Sequence, residues 1–111
     1  MKKEIRVMKH LKIRQRIYGT QERPRLSVFR SSQHIFAQLI DDKAGKTYAQ
    51  ASDLKMTKEP KNKKAYEVGR QLAAKALKLK IKKAVFDRGG FLYSGRVESL
   101  AKGAREGGLE F

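Results

Sequence analysis

Between Arg23 and Ile40 the chain reads Arg-Pro-Arg-Leu-Ser-Val-Phe-Arg-Ser-Ser-Gln-His-Ile-Phe-Ala-Gln-Leu-Ile, and this stretch limits the possible folds more than any other. Two runs of strand-forming residues, Leu26 to Arg30 and Ile35 to Ile40, flank a polar break at Ser31, Ser32 and Gln33, which is the pattern of a β-hairpin. Leu26 and Val28 alternate with Ser27. Ile35, Ala37 and Leu39 share one face, and Phe36, Gln38 and Ile40 the other, so both faces expect at least partial cover. A second layer must come from the rest of the chain.

The remaining residues can supply it. Pro24 fixes the start of the first strand, where a missing donor is tolerated. Asp41 to Lys46 is a turn by composition, and Thr47 to Ser52 reads as a third strand, completing an antiparallel meander. Residues 53–63 form a polar connection containing Pro60, of a length that is uncommon unless something binds there. From about Asn62, Ala65, Val68, Gly69, Leu72, Ala73 and Ala76 recur at helical spacing. Ala84 to Asp87 reads as a short buried strand reached by a right-handed crossover. A glycine-rich loop, Arg88 to Arg96, then leads to a last helix with Ser94 as its cap and Val97, Leu100, Ala101 and Ala104 on its inner face. Gly107 and Gly108 end that helix, and Leu109 and Phe111 are expected to fold back onto the core. The chain's 111 residues suit one domain. The expected fold is α/β: a mixed sheet of a three-stranded antiparallel meander plus one further strand, covered by two helices, over residues 23–111. A basic arm, residues 1–22, precedes it.

The sequence holds 27 lysines and arginines against 11 acidic residues, a net charge of +16. Residues 1–30 carry ten cations and two acids, and residues 55–83 carry eleven and two. Such a surplus repels itself in a compact monomer, and a polyanion neutralises it better than a membrane surface does. The arm has too little apolar area to offset its own ordering, and its Ile5, Met8, Leu11, Ile13 and Ile17 make no clean helical stripe. With no cysteine there is neither a disulfide framework nor thiolate chemistry, which suits a reducing compartment. No apolar run approaches the roughly 20 residues of a membrane span, and no signal-like apolar region follows the charged N-terminus. The expected location is the cytoplasm.

Enzymatic readings find little support. His10 and His34 lack metal-ligand spacing, Asp41 and Asp42 are explained by their turn, and Asp87 stands alone at a strand end. Gly90 and Gly95 enclose four residues as a phosphate loop would, but Arg96-Val97 replaces the required Lys and Ser or Thr. No catalytic residue, metal, cofactor or small-molecule substrate is indicated. Binding readings fare better. Arg14, Arg16, Arg23, Arg25 and Arg30 cluster along the arm and hairpin, and Arg88 and Arg96 flank a loop that offers Gly89, Gly90, Phe91 and Tyr93. Arginine forks, side-chain-free backbone and an aromatic ring are what phosphates and unstacked bases require. Phe91 reads more readily as a core residue than as a stacked ring. A nucleic-acid scaffold leads this ranking, ahead of a sequence-tolerant DNA-binding protein, a nuclease and a membrane-surface protein.

The runs Gly19 to Ser31, His34 to Gln38, Phe86 to Gly90 and Tyr93 to Val97 resemble the bacterial large-subunit ribosomal proteins numbered eighteen, a family of 5S rRNA-binding proteins of the central protuberance. The resemblance covers nearly the whole chain in order. It implies a ribonuclease H-like topology without a nuclease site. It also implies a non-enzymatic monomer within the ribosome that helps attach 5S rRNA to 23S rRNA beside neighbouring 5S rRNA-binding proteins. By position, Lys12, Arg14 and Arg16 of the arm would lie on RNA. Arg23, Arg25, Arg30, Ser31 and His34 would touch the 5S backbone, and the loop with Arg88, Gly89, Gly90, Tyr93 and Arg96 would meet rRNA. The chain departs from the family's frequent Asn, basic residue and His at Ser32, Gln33 and Ser94.

Overall fold

The computed structural model describes residues 18–56, 59–89 and 95–111. Strands β1 (Arg25–Arg30), β2 (Ile35–Asp41) and β3 (Lys46–Ser52) form the meander, followed by helix α1 (Lys61–Lys78), strand β4 (Val85–Asp87) and helix α2 (Arg96–Glu106). The sheet order is β3-β2-β1-β4, with β1 antiparallel to β2, β2 antiparallel to β3, and β4 parallel to β1. The connection through α1 therefore carries the chain from one edge of the sheet to the other.

Cross-strand register divides the sheet into two faces. The rows Leu26–Leu39–Ala49 and Val28–Ala37–Ala51 face inward and are buried. Against them pack Ala65, Val68, Leu72, Ala73 and Ala76 of α1, with Val97, Leu100 and Ala104 of α2 in the same core. Burying each such leucine or valine stabilises the fold by roughly 1.5–3 kcal/mol, and this inner layer holds the molecule together. On the outer face lie Arg25–Ile40–Thr47, Ser27–Gln38–Gln50 and Phe29–Phe36–Ser52. A register shift between Leu39 and Ile40 leaves Tyr48 as the extra residue of a β-bulge.

The small residues of the helices serve close approach. A Cβ at Gly69 of α1 would run into the backbone carbonyl of Leu100, and one at Gly103 of α2 into that of Tyr66. The two helices thus exchange glycine contacts. Both end in the same way. In α1 the Lys80 amide donates to Leu77 O and the Ile81 amide to Ala76 O; in α2 the Gly108 amide donates to Arg105 O and the Leu109 amide to Ala104 O. Gly108 takes the left-handed conformation such an ending favours, and Lys80 takes it too, at φ 61°.

Two expectations are corrected here, and the root of the arm gains its contacts. The residue before α2 is Gly95, at φ 55°, and no side chain caps the helix there; Ser94 lies outside the described residues. Strand β4 is less buried than its sequence suggests, because Val85 and Phe86 sit at the sheet edge and only Asp87 is fully enclosed. Gly19, counted with the arm, is buried against Arg25 and Ile40 and fastened to Asp42 on both sides: its amide donates to Oδ2 at 2.7 Å and its carbonyl accepts from the Asp42 amide at 2.9 Å. Leu109 does return to the core, and Phe111 stacks on Phe86 with ring centroids 5.4 Å apart.

Candidate nucleic-acid interface

The hairpin tip is built from its own backbone upward. The Ser31 amide donates to His34 O at 2.8 Å and the His34 amide to Ser31 Oγ at 3.1 Å, closing the four-residue loop. Asp53, from the segment after β3, is only 1% exposed and accepts from the Ile35 amide at 3.2 Å. Its Oδ1 also lies 3.1 Å from His34 Nδ1, which must carry the proton because a carboxylate accepts. The ring is thereby turned with Nε2 away from Asp53.

Two cations arrive at this loop from elsewhere in the chain. Lys61, at the start of α1, donates to Ser32 O at 2.7 Å, and Arg96, at the start of α2, donates through Nη2 to Ser31 O at 2.9 Å. Lys61 uses one of its donors on the loop and keeps further N–H groups beside it, whereas Nη1 of Arg96 is enclosed and that residue contributes chiefly its charge. The glycine loop and the hairpin, 65 positions apart, are joined by the Arg96 contact. Exposed Arg88 and half-buried Arg30 complete the cationic residues of these segments.

The other expected site residues divide. Arg23 is exposed, but it lies at the far end of β1, roughly 20 Å from the tip at the rise of a strand, in a shallow groove with Lys83, Arg105 and Glu110. Arg25 departs from the expectation of a surface contact. It is 4% exposed, with Nε and Nη2 each 3.0 Å from the two oxygens of Asp42 and Nη1 2.8 Å from Asp87. Those bonds, Asp42 foremost, outweigh burial and raise the guanidinium's pKa above its already high ordinary value. The physical reason for the departure is pairing: a buried guanidinium survives only beside buried carboxylates. Gly89 is buried at φ 64°, and its amide donates to Asp87 Oδ1 at 2.8 Å, which sets the start of the glycine loop. Lys12, Arg14, Arg16, Gly90 and Tyr93 lie outside the described residues.

Sequence reasoning left Asp87 alone and assigned Asp41 and Asp42 to their turn. The structure engages all four aspartates of the chain. Asp42 and Asp87 hold Arg25, Asp53 holds the hairpin, and Asp41 accepts from Ala44 N–H at 3.1 Å and Tyr48 O–H at 2.6 Å. Lys61 and Asp53 were missed as parts of the site; the unusual length of the 53–63 connection was the only signal pointing there. Among the described residues no three His, Asp or Glu side chains gather as a metal site, and no helix is long and apolar enough to cross a membrane.

Internally satisfied carboxylates and cations gathered at one hairpin tip define a class, the small basic α/β domains that bind polyanions. Over residues 1–111 the chain matches the sequence profile of ribosomal L18 of archaea, bacteria, mitochondria and chloroplasts. It is 52% identical to the large ribosomal subunit protein uL18 of Kosmotoga olearia over 116 residues, covering 99% of this chain and 95% of that one. The proteins of the same name from Clostridium botulinum (strain Langeland) and Thermotoga petrophila are each 52% identical too, covering 96% and 99% of this chain and 92% and 95% of theirs. The chain belongs to the ribosomal L18 family and is a ribosomal protein.

Proposed function

We propose that this chain, as a structural constituent of the large ribosomal subunit, binds 5S rRNA and helps attach it to 23S rRNA, without catalysing a reaction. The observation that carries the reading is the Arg96–Ser31 contact, which makes one cationic rim of two segments far apart in sequence. Arg30, Arg88, Arg96 and Lys61 meet phosphates there, and Ser31, His34 and Gly89 set the backbone shape that lets the RNA come close. Arg23 contacts RNA from the opposite end of the sheet. The arm, with Lys12, Arg14 and Arg16, and the loop residues Gly90 and Tyr93 extend the surface. Arg25 positions the sheet rather than touching RNA. Neighbouring 5S rRNA-binding proteins are the further partners, with the chain entering the particle as a monomer in the cytoplasm.

A competition titration at near-physiological salt tests this reading. Labelled 5S rRNA is displaced by unlabelled 5S rRNA, by a structured RNA of equal length, or by duplex DNA. Displacement by 5S rRNA alone is the expected result. Equal displacement by all three would mean that charge acts without shape recognition, and a sequence-tolerant nucleic-acid-binding role would replace the proposal.

A further inference from the structure

We propose that the outer face of the sheet is a stacking surface for unpaired RNA bases, with Phe29 and Phe36 as its platform. The inference rests on the RNA-binding reading above and adds a contact to bases rather than to phosphates. Phe29 stands directly opposite Phe36, with ring centroids 6.1 Å apart and planes inclined by 42°. Phe29 is 57% exposed although it lies within a strand of the sheet, opposite Phe36 of β2 and just beyond the last residue of β1 that pairs with β4. The next row on the same face is Ser27–Gln38–Gln50. Two rings beside two carboxamides and a hydroxyl combine the flat apolar area a base stacks on with donors and acceptors able to meet its edge.

The surroundings favour this occupant. At one end the face is bounded by the row Arg25–Ile40, against whose backbone Gly19 packs. At the other end lies the hairpin tip, where Lys61 and Arg96 reach Ser32 O and Ser31 O from the starts of the two helices and bring positive charge close to the face. A net charge of +16 selects a polyanion, and the neutral amides beside the rings do not suit a membrane surface or a broad apolar protein interface.

The test uses the full chain with Phe29→Ala, Phe29→Tyr and Phe29→Trp, each checked for an unchanged melting profile. Phe29→Ala is expected to weaken binding to 5S rRNA about tenfold with the salt dependence unchanged, because stacking releases no counterions. Tyr and Trp are expected to bind within about twofold of the parent, since both keep a stacking face. The sequence has no tryptophan, so the indole of Phe29→Trp reports alone: RNA should quench it and shield it from acrylamide. Wild-type affinity in the Ala variant, equal losses in all three, or an indole left open to acrylamide in the bound complex would each overturn the inference while leaving 5S rRNA binding intact. Shielding by a second copy of the chain without RNA would overturn it too. An unstructured oligoadenylate serves as the second probe: should 5S rRNA prove not to be the ligand, quenching by the oligonucleotide would still support base stacking, and its absence would reject it.

Discussion

Arg25 grips Asp42 at two points, Nε donating to Oδ2 and Nη2 to Oδ1, each at 3.0 Å, while its third nitrogen donates to Asp87. Asp42 holds Gly19 and Asp87 holds Gly89, so one guanidinium links the root of the arm, the β2–β3 turn and the start of the glycine loop. Removing it takes the paired cation from two carboxylates, one of them fully buried. Arg25→Ala is expected to cost about 3 kcal/mol of unfolding free energy, measurable by urea titration. Arg25→Lys should recover only a minor part, since an ammonium cannot reproduce the two-point grip. An Ala variant unfolding at the parent's urea concentration would remove this pair from the account of stability.

The reciprocal glycine contacts between α1 and α2 make a second prediction, in which helix propensity and packing oppose each other. Alanine is the better helix former by about 1 kcal/mol, yet its Cβ at position 69 or 103 strikes backbone of the facing helix, which cannot swing aside. Gly69→Ala and Gly103→Ala should therefore lower the melting temperature, each by a net cost of roughly 1–2 kcal/mol. A rise in melting temperature would show that the helices can separate cheaply.

Asp41 gives the fold a pH signature. The Tyr48 hydroxyl, followed by the Ala44 amide, holds its carboxyl below the ordinary value of 3.8, against opposing pushes from burial and, less, from Asp42. The folded form binds that proton less readily than the unfolded chain does. Its contribution is complete above the ordinary value and is lost as pH falls past it and through the lowered one. Asp41→Asn should thus be less stable than the parent near neutrality, with the gap closing only as pH falls below 3.8 and through the lowered value. The Tyr48 hydroxyl is pushed up by the same bond, so its share is complete below 10.0 and fades as pH rises through the raised value. A gap between the two proteins that stays constant down to the acid limit would contradict the assignment.

The arm is expected to act on affinity and not on stability. Replacing Arg14 and Arg16 together by Ala removes two cations, and the logarithmic salt slope for RNA binding should become shallower by roughly 1.4 to 1.8. The melting temperature should stay within experimental scatter. A slope equal to the parent's would mean that these arginines do not meet phosphate.

Local pattern carried much of this architecture, and long-range pairing did not. The hairpin, the third strand and α1 followed from alternation and helical spacing, because those periods are properties of neighbouring residues. Arg25 reads as one more arginine of a basic cluster, because its partners stand 17 and 62 positions away. Asp53 is equally silent in the sequence: nothing near it shows that it will be enclosed beneath the hairpin. Phe29 carried a misleading signal, since a phenylalanine within a strand usually faces a core. Alternation sets it apart from Val28, but only register shows that it stands opposite Phe36.

The junction of Lys83 with Glu110 bears on when the fold can complete itself. Those two residues form a parallel bridge at the sheet's β4 edge, Ala84 donates to Glu110, and Glu110 donates back to Lys82. Strand β4 is thus paired on one side with β1, made early in synthesis, while the residues leading into it are held on the other side by one made some 80 positions after β1. During translation the meander can pair as soon as it emerges, but its fourth edge waits for residue 110. A chain broken off before that point leaves the segment that leads into β4 without its outer support.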